Sequence, residues 1–337
     1  MSSASSTLAD LGEVALIERI QALVRRQGGS LRRIALGIGD DAAVLRLAAG
    51  EELVVSSDAR VEDVHFRWQT ESPRWIGRRA ALASLSDLAA MGARPLGMIC
   101  ALAAPPELEL EVFDGLLRGI VEEAGAQGAP LVGGNLTRAR ETSLSLTVLG
   151  SVPRGAALLR SGSRAGDRLC VTGALGAPAL ARLRAERLGR RIQQLPAPRL
   201  AVGRALCALR QREPGWIGGV IDVSDGLEAD ALHLARAGRT RRPGARLRVE
   251  IDAARVPRPA GFDALCRRFG ADPTALLLGG GEDYELLFAA RRSAPPAAEL
   301  ARRLGVAVTE VGRFEELRPV RARRSAPASR ARGWRHF

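Results

Sequence analysis

Residues 53–58 read Leu53-Val54-Val55-Ser56-Ser57-Asp58, a short apolar run that ends in two hydroxyl groups and a carboxylate. The run predicts a buried strand, and a carboxylate at the end of such a strand needs a partner that offsets its charge. A helix N-cap is the plain alternative, but no helical pattern follows directly. The stretch therefore favours ligation of a cation.

The same pairing of acids with small residues recurs along the chain. It is found in Gly37-Ile38-Gly39-Asp40-Asp41, Ser86-Asp87-Leu88-Ala89-Ala90, Ile221-Asp222-Val223-Ser224-Asp225-Gly226 and Gly279-Gly280-Gly281-Glu282-Asp283-Tyr284-Glu285. Crowded carboxylates require neutralising cations, and Mg²⁺ takes oxygen ligands that it shares with substrate phosphates. Together these stretches predict a multi-metal phosphate site.

Three of these four stretches also have a plain structural interpretation, which the sequence leaves open. Asp40-Asp41 suits an ordinary turn, and either Asp222 or Asp225 suits a helix N-cap. Asp87 falls on a small, apolar face of a predicted helix, where it needs either a metal or an arginine partner.

Two glycine-rich stretches and one histidine complete the candidate site. Gly133-Gly134-Asn135 and Gly279-Gly280-Gly281 predict loops whose backbone N–H groups can approach phosphate. One such loop alone is weak evidence. His65 suits a binding role and an ordinary structural role equally well.

Lysine is absent, and all 50 basic residues are arginine. This excludes enzymes that need a Schiff-base lysine, P-loop nucleotidases and kinases of the protein-kinase type. Arginine remains charged and grips phosphate oxygens in a bidentate manner. The four cysteines are scattered without a CxxC pair, which predicts buried thiols and neither disulfides nor a zinc site.

The formal net charge of +13 has two interpretations. One is nucleic-acid binding, and the other is a solvated surface on which arginine has replaced lysine. No nucleic-acid-binding motif accompanies the arginines, which favours the second interpretation and predicts no nucleic-acid partner. The chain shows no secretory signal and no apolar run of about 18 residues, so we expect a cytoplasmic protein without membrane contact.

A length of 337 residues predicts two domains, which we place at residues 1–152 and 153–337. The first half reads as α+β and the second alternates helices with strands. Predicted helices in the first half are Asp10–Arg26 (capped by Asp10 with Glu13), Pro73–Ala90 and Leu108–Ala124. Predicted strands there are Ile34–Ile38, Ala43–Leu47, Leu53–Ser57, Leu96–Leu102, Leu131–Val132 and Leu144–Val148, with a hairpin at Ala49-Gly50. In the second half we predict helices at about 174–188, 198–211, 226–237 and 295–303, and strands at about 168–172, 218–223, 245–251, 284–289 and 306–311.

With these residues in view, the chain resembles the thiamine-monophosphate kinase family of the aminoimidazole-ribonucleotide-synthetase superfamily. The matching stretches, in family order, are Gly37–Val44, Val55–Phe66, Ser86–Ala93, Gly133–Thr137, Leu159–Gly162, Ala165–Gly173, Ile221–Leu227, Gly280–Phe288 and Gly333–Phe337. Together they are highly specific, although none is so alone.

The resemblance implies transfer of the ATP γ-phosphoryl group, with Mg²⁺, directly onto thiamine monophosphate to give thiamine diphosphate. It implies an α+β (mixed α/β), two-domain fold like that of aminoimidazole-ribonucleotide synthetase. In that fold the N-terminal domain binds ATP and Mg²⁺, its strands form a barrel across a homodimer, and the C-terminal α/β domain completes the active site.

The resemblance also assigns site residues. Mg²⁺ ligands are Asp41, Ser56, Ser57, Asp58, Asp87, Asn135, Asp222 and Asp225. ATP contacts are Gly134, Asn135, Arg160 and Ser224, and thiamine-phosphate contacts are His65, Glu282 and Trp334. Asp58, Asp87 and Arg160 are the expected catalytic residues.

The sequence departs from the family pattern in places. Asn135 replaces a frequent aspartate, which keeps an oxygen ligand but removes its charge. Ala59 replaces a frequent threonine, and Asp63 replaces a frequent glycine in the loop to His65.

The alternative functions are those of a sister enzyme of the superfamily or of an arginine-rich nucleic-acid binder. The ending Arg335-His336-Phe337 lacks the C-terminal cysteine of hydrogenase-maturation members, and the absence of lysine disfavours selenophosphate synthetases.

Overall fold

A four-stranded and a five-stranded sheet organise two separate units in the computed structural model, which describes residues 6–27, 32–238, 240 and 245–317. The first unit contains the chain up to Leu88, together with Ala93–Gly155 and Leu188–Leu195. The second contains Ala89–Gly92, Ala156–Arg187 and the chain from Pro196 onward. The fold is mixed α/β, as the sequence predicts.

In the described part of the chain before residue 155, helices and strands alternate, and the four longest strands form one sheet. The helices are α1 (Leu8–Leu11), α2 (Glu13–Gln27), α3 (Pro73–Ala90) and α4 (Leu110–Ala126). The strands are β1 (Ile34–Leu36), β2 (Val44–Leu45), β3 (Glu51–Val61), β4 (Arg94–Ala104), β5 (Leu131–Arg138) and β6 (Ser143–Pro153).

The sheet of the first unit has the order β3-β6-β4-β5, with antiparallel neighbours except for the parallel pair β4 and β5. Side chains alternate between its two faces. On β4, Met98 and Cys100 are buried, while Ile99 between them is only half-buried. On β3, Leu53 and Val55 are about half exposed, at 50% and 54%. One face of the sheet is therefore covered and the other is open.

Helices α3 and α4 approach each other closely at two glycines. A Cβ at Gly77 would lie 2.1 Å from the carbonyl oxygen of Leu116, and one at Gly119 would lie 2.0 Å from that of Arg74. Asp114 of α4 forms an ion pair with Arg19 of α2. These contacts pack α2, α3 and α4 closely together.

The second unit is built on the antiparallel sheet β8-β10-β7-β11-β9. Its strands are β7 (Arg168–Thr172), β8 (Ile217–Asp222), β9 (Arg246–Ile251), β10 (Leu286–Ala290) and β11 (Val308–Leu317). Its helices are α5 (Ala177–Leu188), α6 (Leu200–Arg212), α7 (Leu227–Ala237), α8 (Phe262–Arg268), α9 (Pro273–Gly279) and α10 (Ala297–Leu304), with a 3-10 helix at Ala253–Arg255. A core that includes Phe262, Leu287 and Phe314 fills this unit.

Several local predictions are wrong. Strand β2 pairs with β1 and β3 pairs with β6, so the predicted hairpin at Ala49-Gly50 is not formed. The N-terminal helix is interrupted at Gly12, where φ is +77°, and its capping partner is Thr7, whose N–H donates to Asp10. The sequence also gave no indication of α8 and α9.

Two predictions near the site need correction as well. Strand β3 runs on to Val61, so Ser56–Asp58 lie inside a strand and not at its end. Gly133-Gly134-Asn135 lie within β5 and do not form a loop.

The four cysteines are buried as predicted, and burial raises the pKa of Cys100 to about 12. Within the described residues, no helix is long and apolar enough to cross a membrane.

Candidate active site

Ser56, Asp58 and Asp87 form the first group of predicted ligands. Ser56 and Asp58 are two residues apart on β3, so their side chains share the covered face of the sheet. Asp87 of α3 is held by the Ser56 hydroxyl, which donates to its Oδ2 atom at 2.5 Å. Ile76, Ala80 and Ala83, which the sequence places on one helical face with Asp87, are buried, but so are Ala81, Leu82 and Leu85 on other sides of α3.

Ser57 lies on the opposite, open face of the sheet. There its hydroxyl accepts a hydrogen bond of 3.0 Å from Thr147 of β6, directly across the strand pair. The structure therefore brings Ser56 together with Asp87 but directs the Ser57 side chain elsewhere.

A cleft of about 840 Å³ in the first unit gathers a second group of predicted ligands. Asp40 and Asp41 line it together with Gly133, Gly134 and Asn135. The predicted turn chemistry is also present, since the Asp41 N–H donates to Asp40 at 2.8 Å. The two motifs, nearly a hundred residues apart in sequence, thus face one space.

The positions of the glycines in this cleft differ in whether, and why, they require glycine. A Cβ at Gly134 would lie 2.0 Å from the carbonyl oxygen of Cys100 on β4, so strand packing alone requires glycine there. A Cβ at Gly133 would meet no described residue within 4 Å. Gly39 has φ of +125° and lies against Gln21, whose side chain donates to the Ile38 carbonyl. Gln21 therefore supports the turn that carries the two aspartates.

In the second unit, the turn after β8 is organised by a buried carboxylate that the sequence analysis missed. Asp230 of α7 is 1% exposed, and its Oδ2 atom accepts the backbone N–H groups of Ser224, Asp225 and Gly226 at 3.0–3.1 Å. The N-cap residue of α7 is Gly226, which has no side chain of its own to cap the helix. The N-cap interpretation of Asp225 is therefore wrong. The available signal was an acid five residues after Asp225, on the apolar side of the next helix.

Negative charge is concentrated at this turn. Burial, followed by the carboxylates of Asp222 and Asp225, raises the pKa of Asp230 to about 8. Asp222 itself is 3% exposed. A nearby cation relieves repulsion of this kind.

The segment from Gly281 to Glu285 lies against the same turn. Glu282 N–H donates to the Ser224 carbonyl at 2.8 Å, and Tyr284 N–H donates to that of Val223 at 2.9 Å. Glu282 and Tyr284 adopt left-handed φ values of +61° and +51°. Such values cost energy for residues with a side chain, so the surrounding bonds must hold them.

Side chains of this segment point to different partners. Asp283 is 5% exposed and accepts the Gly176 N–H at 2.7 Å; burial raises its pKa to about 7. Glu285 is equally buried and binds Arg199 in a two-pronged ion pair. Glu282 is half-buried and is paired with Arg182.

The remaining predicted residues are placed as follows. Arg160 is exposed. The pKa of His233 on α7 is lowered, mainly because His233 is partly buried and secondly because of the positive charge of Arg160. His65 accepts the Val61 N–H at Nδ1, which agrees with the structural interpretation of this histidine. Asp63, where a glycine is frequent, has a left-handed φ of +60°. Trp334 lies outside the described residues.

The donor chemistry of these groups fits Mg²⁺. Every predicted ligand offers oxygen, as a carboxylate, a hydroxyl or an amide. Among the residues that the structure describes, no three His, Cys, Asp or Glu side chains converge to hold a metal by themselves. Mg²⁺ usually takes one or two carboxylates and completes its shell with water and substrate phosphates, which such pairs allow.

Comparison with known proteins identifies the family of this chain. Residues 39–152 match the family model described as AIR synthase related protein, N-terminal domain. A thiamine-monophosphate kinase of Mycobacterium tuberculosis is 36% identical over 85% of this chain and 83% of its own length. A crystal structure of the thiamine-monophosphate kinase from Stenotrophomonas maltophilia aligns with a TM-score of 0.73 at 34% identity, over 90% of this chain and 94% of that one. A structure of AaThiL complexed with AMPPCP and TMP aligns with a TM-score of 0.64 at 26% identity, over 99% and 100% of the two chains. The chain belongs to the thiamine-monophosphate kinase family of enzymes.

Proposed function

We propose that this protein transfers the γ-phosphoryl group of ATP to the phosphate of thiamine monophosphate, giving thiamine diphosphate. Family membership supports the reaction, and the complex of AaThiL with AMPPCP and TMP supports the pair of substrates. The single observation on this chain that carries the proposal is the cleft shared by Asp40, Asp41 and Gly133–Asn135. It joins oxygen ligands to a strand with open space at Gly133, where a Cβ would meet none of the described residues within 4 Å.

The acceptor is itself a phosphate, whose second pKa is about 6, so its oxygen is largely ionised at neutral pH. No general base is needed, and the obstacle is repulsion between two polyanions. Bound Mg²⁺ would neutralise phosphate charge and favour in-line geometry. We assign its ligation to Asp41, Ser56, Asp58, Asp87 and Asn135 in the first unit, and to Asp222 and Asp225 in the second. Ser57 is left out, because its side chain lies on the open face of the sheet and is hydrogen-bonded to Thr147.

The other residues bind and orient the substrates. Gly133 leaves room for the nucleotide, because neither packing nor a positive φ requires glycine there. The exposed guanidinium of Arg160 can hold a phosphate through two hydrogen bonds. Ser224 lies in the turn that Asp230 fixes. Thiamine phosphate is assigned to His65, Glu282 and Trp334.

A direct assay tests the proposal. Purified protein with ATP, Mg²⁺ and thiamine monophosphate should produce thiamine diphosphate and ADP in equal amounts, measured by chromatography. Unphosphorylated thiamine should not react, because it lacks the nucleophilic phosphate oxygen. Conversion of free thiamine at a comparable rate would overturn this assignment.

We also propose that the protein is a homodimer whose strands form a barrel from the open faces of two first-unit sheets. Leu53 and Val55 expose about half of their surface on this face, which a second copy would cover. Val55→Glu should convert a dimer into a monomer in light scattering. Val14→Glu, at a position on α2 that is 73% exposed, is the control and should leave the mass unchanged. A wild-type mass of one chain would contradict the proposal.

A further inference from the structure

Helix α5 is joined to the segment Gly280–Asp283 at several points. Just before the helix, the Gly176 N–H donates to Asp283. One and a half turns into it, Arg182 contacts both the Glu282 carboxylate and the Gly280 carbonyl. The two parts approach so closely that a Cβ at Gly280 would lie 2.6 Å from that of Ala179.

Glu282 is the residue of this segment whose position matters for a ligand. Its backbone is left-handed and is bonded to the Ser224 carbonyl. Its side chain remains 21% exposed and is therefore accessible. A glutamate with that exposure ordinarily samples several rotamers, and binding has to immobilise it.

Arg182 restricts this freedom before any ligand arrives. The planar guanidinium presents its N–H groups in a fixed fork, so one side chain holds the carboxylate and the Gly280 carbonyl together. The pair is partly shielded, with 32% exposure of the Arg182 side chain. Sequence reasoning missed this residue because its partners lie about a hundred positions away.

We propose that Arg182 is a positioning residue that sets the affinity for thiamine monophosphate by preorganising Glu282. The inference rests on the proposed function, in which Glu282 contacts that substrate. Arg182 acts only through Glu282 and the segment that carries it, so its loss weakens binding of thiamine phosphate and leaves binding of ATP unchanged.

Two simpler roles compete with positioning. If Arg182 only neutralises Glu282, then Arg182→Lys, which keeps the charge but not the fork, should behave as the wild type. If Arg182 only stabilises the unit, its loss should lower the melting temperature and the amount of active protein without changing either KM.

The test is a set of steady-state measurements on full-length variants. Arg182→Gln should raise KM for thiamine monophosphate about three- to tenfold, the penalty for immobilising one flexible side chain. KM for ATP should not change. Arg182→Lys should give an intermediate KM for thiamine monophosphate. Arg184→Gln, an exposed arginine on the same helix, is the matched control and should equal the wild type.

A double-mutant cycle gives the decisive comparison. In a Glu282→Gln background, Arg182→Gln should produce no further rise in KM for thiamine monophosphate, because the residue it positions has lost its charge. An unchanged KM in Arg182→Gln alone, or an equal rise in both backgrounds, would overturn the inference while leaving the proposed function intact. Failure of the wild-type protein to convert thiamine monophosphate would overturn both.

Discussion

The two units hold their acidic residues in different ways. Ser56, Asp58 and Asp87 are on regular elements, a long strand and a long helix, and one Ser56–Asp87 hydrogen bond joins them. The acids around Ser224 and Glu282 lie on irregular segments. Those segments need a buried carboxylate, left-handed residues and an arginine fork to keep their shape.

The difference predicts where each kind of mutation acts. On regular elements the backbone keeps its shape without the functional side chain, so removal of that side chain should affect catalysis and spare the fold. On irregular segments the supports are part of the site, so a change in them should affect stability and binding together.

The largest effect is expected for Asp87→Asn. Asp87 is a proposed Mg²⁺ ligand, so loss of its carboxylate should lower turnover by at least about a hundredfold. Without Mg²⁺ the melting temperature should equal or exceed that of the wild type, because one crowded negative charge is gone. Asp58→Asn should behave in the same way.

Asp114→Asn is the matched control for this experiment. Asp114 is 6% exposed, is ion-paired with Arg19 and does not line the cleft. Its loss should lower the melting temperature and leave turnover per folded molecule unchanged. A metal-free Asp87→Asn variant that is much less stable than the wild type would instead give Asp87 a structural role.

A pair of glycine variants tests the contrast through backbone strain. Gly281 has φ of +64°, and a Cβ there would lie 2.6 Å from the Ser224 carbonyl. Gly281→Ala should therefore cost about 1–3 kcal/mol of unfolding free energy. Gly133→Ala, which meets open space on a strand, should leave stability unchanged and raise KM for ATP. Equal destabilisation by the two variants in urea unfolding would remove the distinction between the regions.

Sequence patterns predicted the regular region well, because its signals are local. Pro73 starts α3, and helical spacing placed Asp87 on a buried face. The hairpin at Ala49-Gly50 failed because β3 pairs with β6, about ninety residues away, and no local pattern encodes that choice. The two glycines of Gly133–Asn135 predict a loop, because glycine is common in loops. In the structure, Gly134 is instead required by the close contact of β5 with Cys100.

The irregular region was the harder one to predict. The motifs themselves were visible, but the groups that shape them were not. In the sequence, Asp230 resembles any acidic residue of a helix, and Arg182 is one of 50 arginines with nothing local to distinguish it. The contacts of Arg182 join residues about a hundred positions apart, which a single sequence does not supply. Asp230 is only four to six residues from the groups whose N–H it accepts, but the sequence does not show that its side chain is buried against that turn.

A pH experiment examines the buried acid of the irregular region. Burial raises the pKa of Asp283 to about 7, so the folded protein keeps a proton that the unfolded chain releases near pH 4. The resulting stabilisation is complete at low pH and is lost as the pH rises from about 4 to about 7. In metal-free protein, Asp283→Asn should flatten this part of the dependence of melting temperature on pH. Parallel curves for the variant and the wild type would show that Asp283 is ionised throughout.

The smallest effect is expected at Asn135, on the exposed edge of the regular region. Asn135 lines the cleft with Asp40 and Asp41, where a neutral amide binds Mg²⁺ more weakly than a carboxylate would. Asn135→Asp should lower the Mg²⁺ concentration needed for half-maximal activity by several-fold, on the order of what one added ligand charge contributes. Without Mg²⁺ it should be neutral or slightly destabilising, because it adds repulsion with the two aspartates. The measurement is a Mg²⁺ titration of the initial rate at saturating ATP, with Thr137→Asp, on the same strand beyond the cleft, as the control. If the curves for Asn135→Asp and the wild type overlap, Asn135 is not beside a catalytic metal, and the cleft binds the nucleotide through its backbone and Asp41 alone.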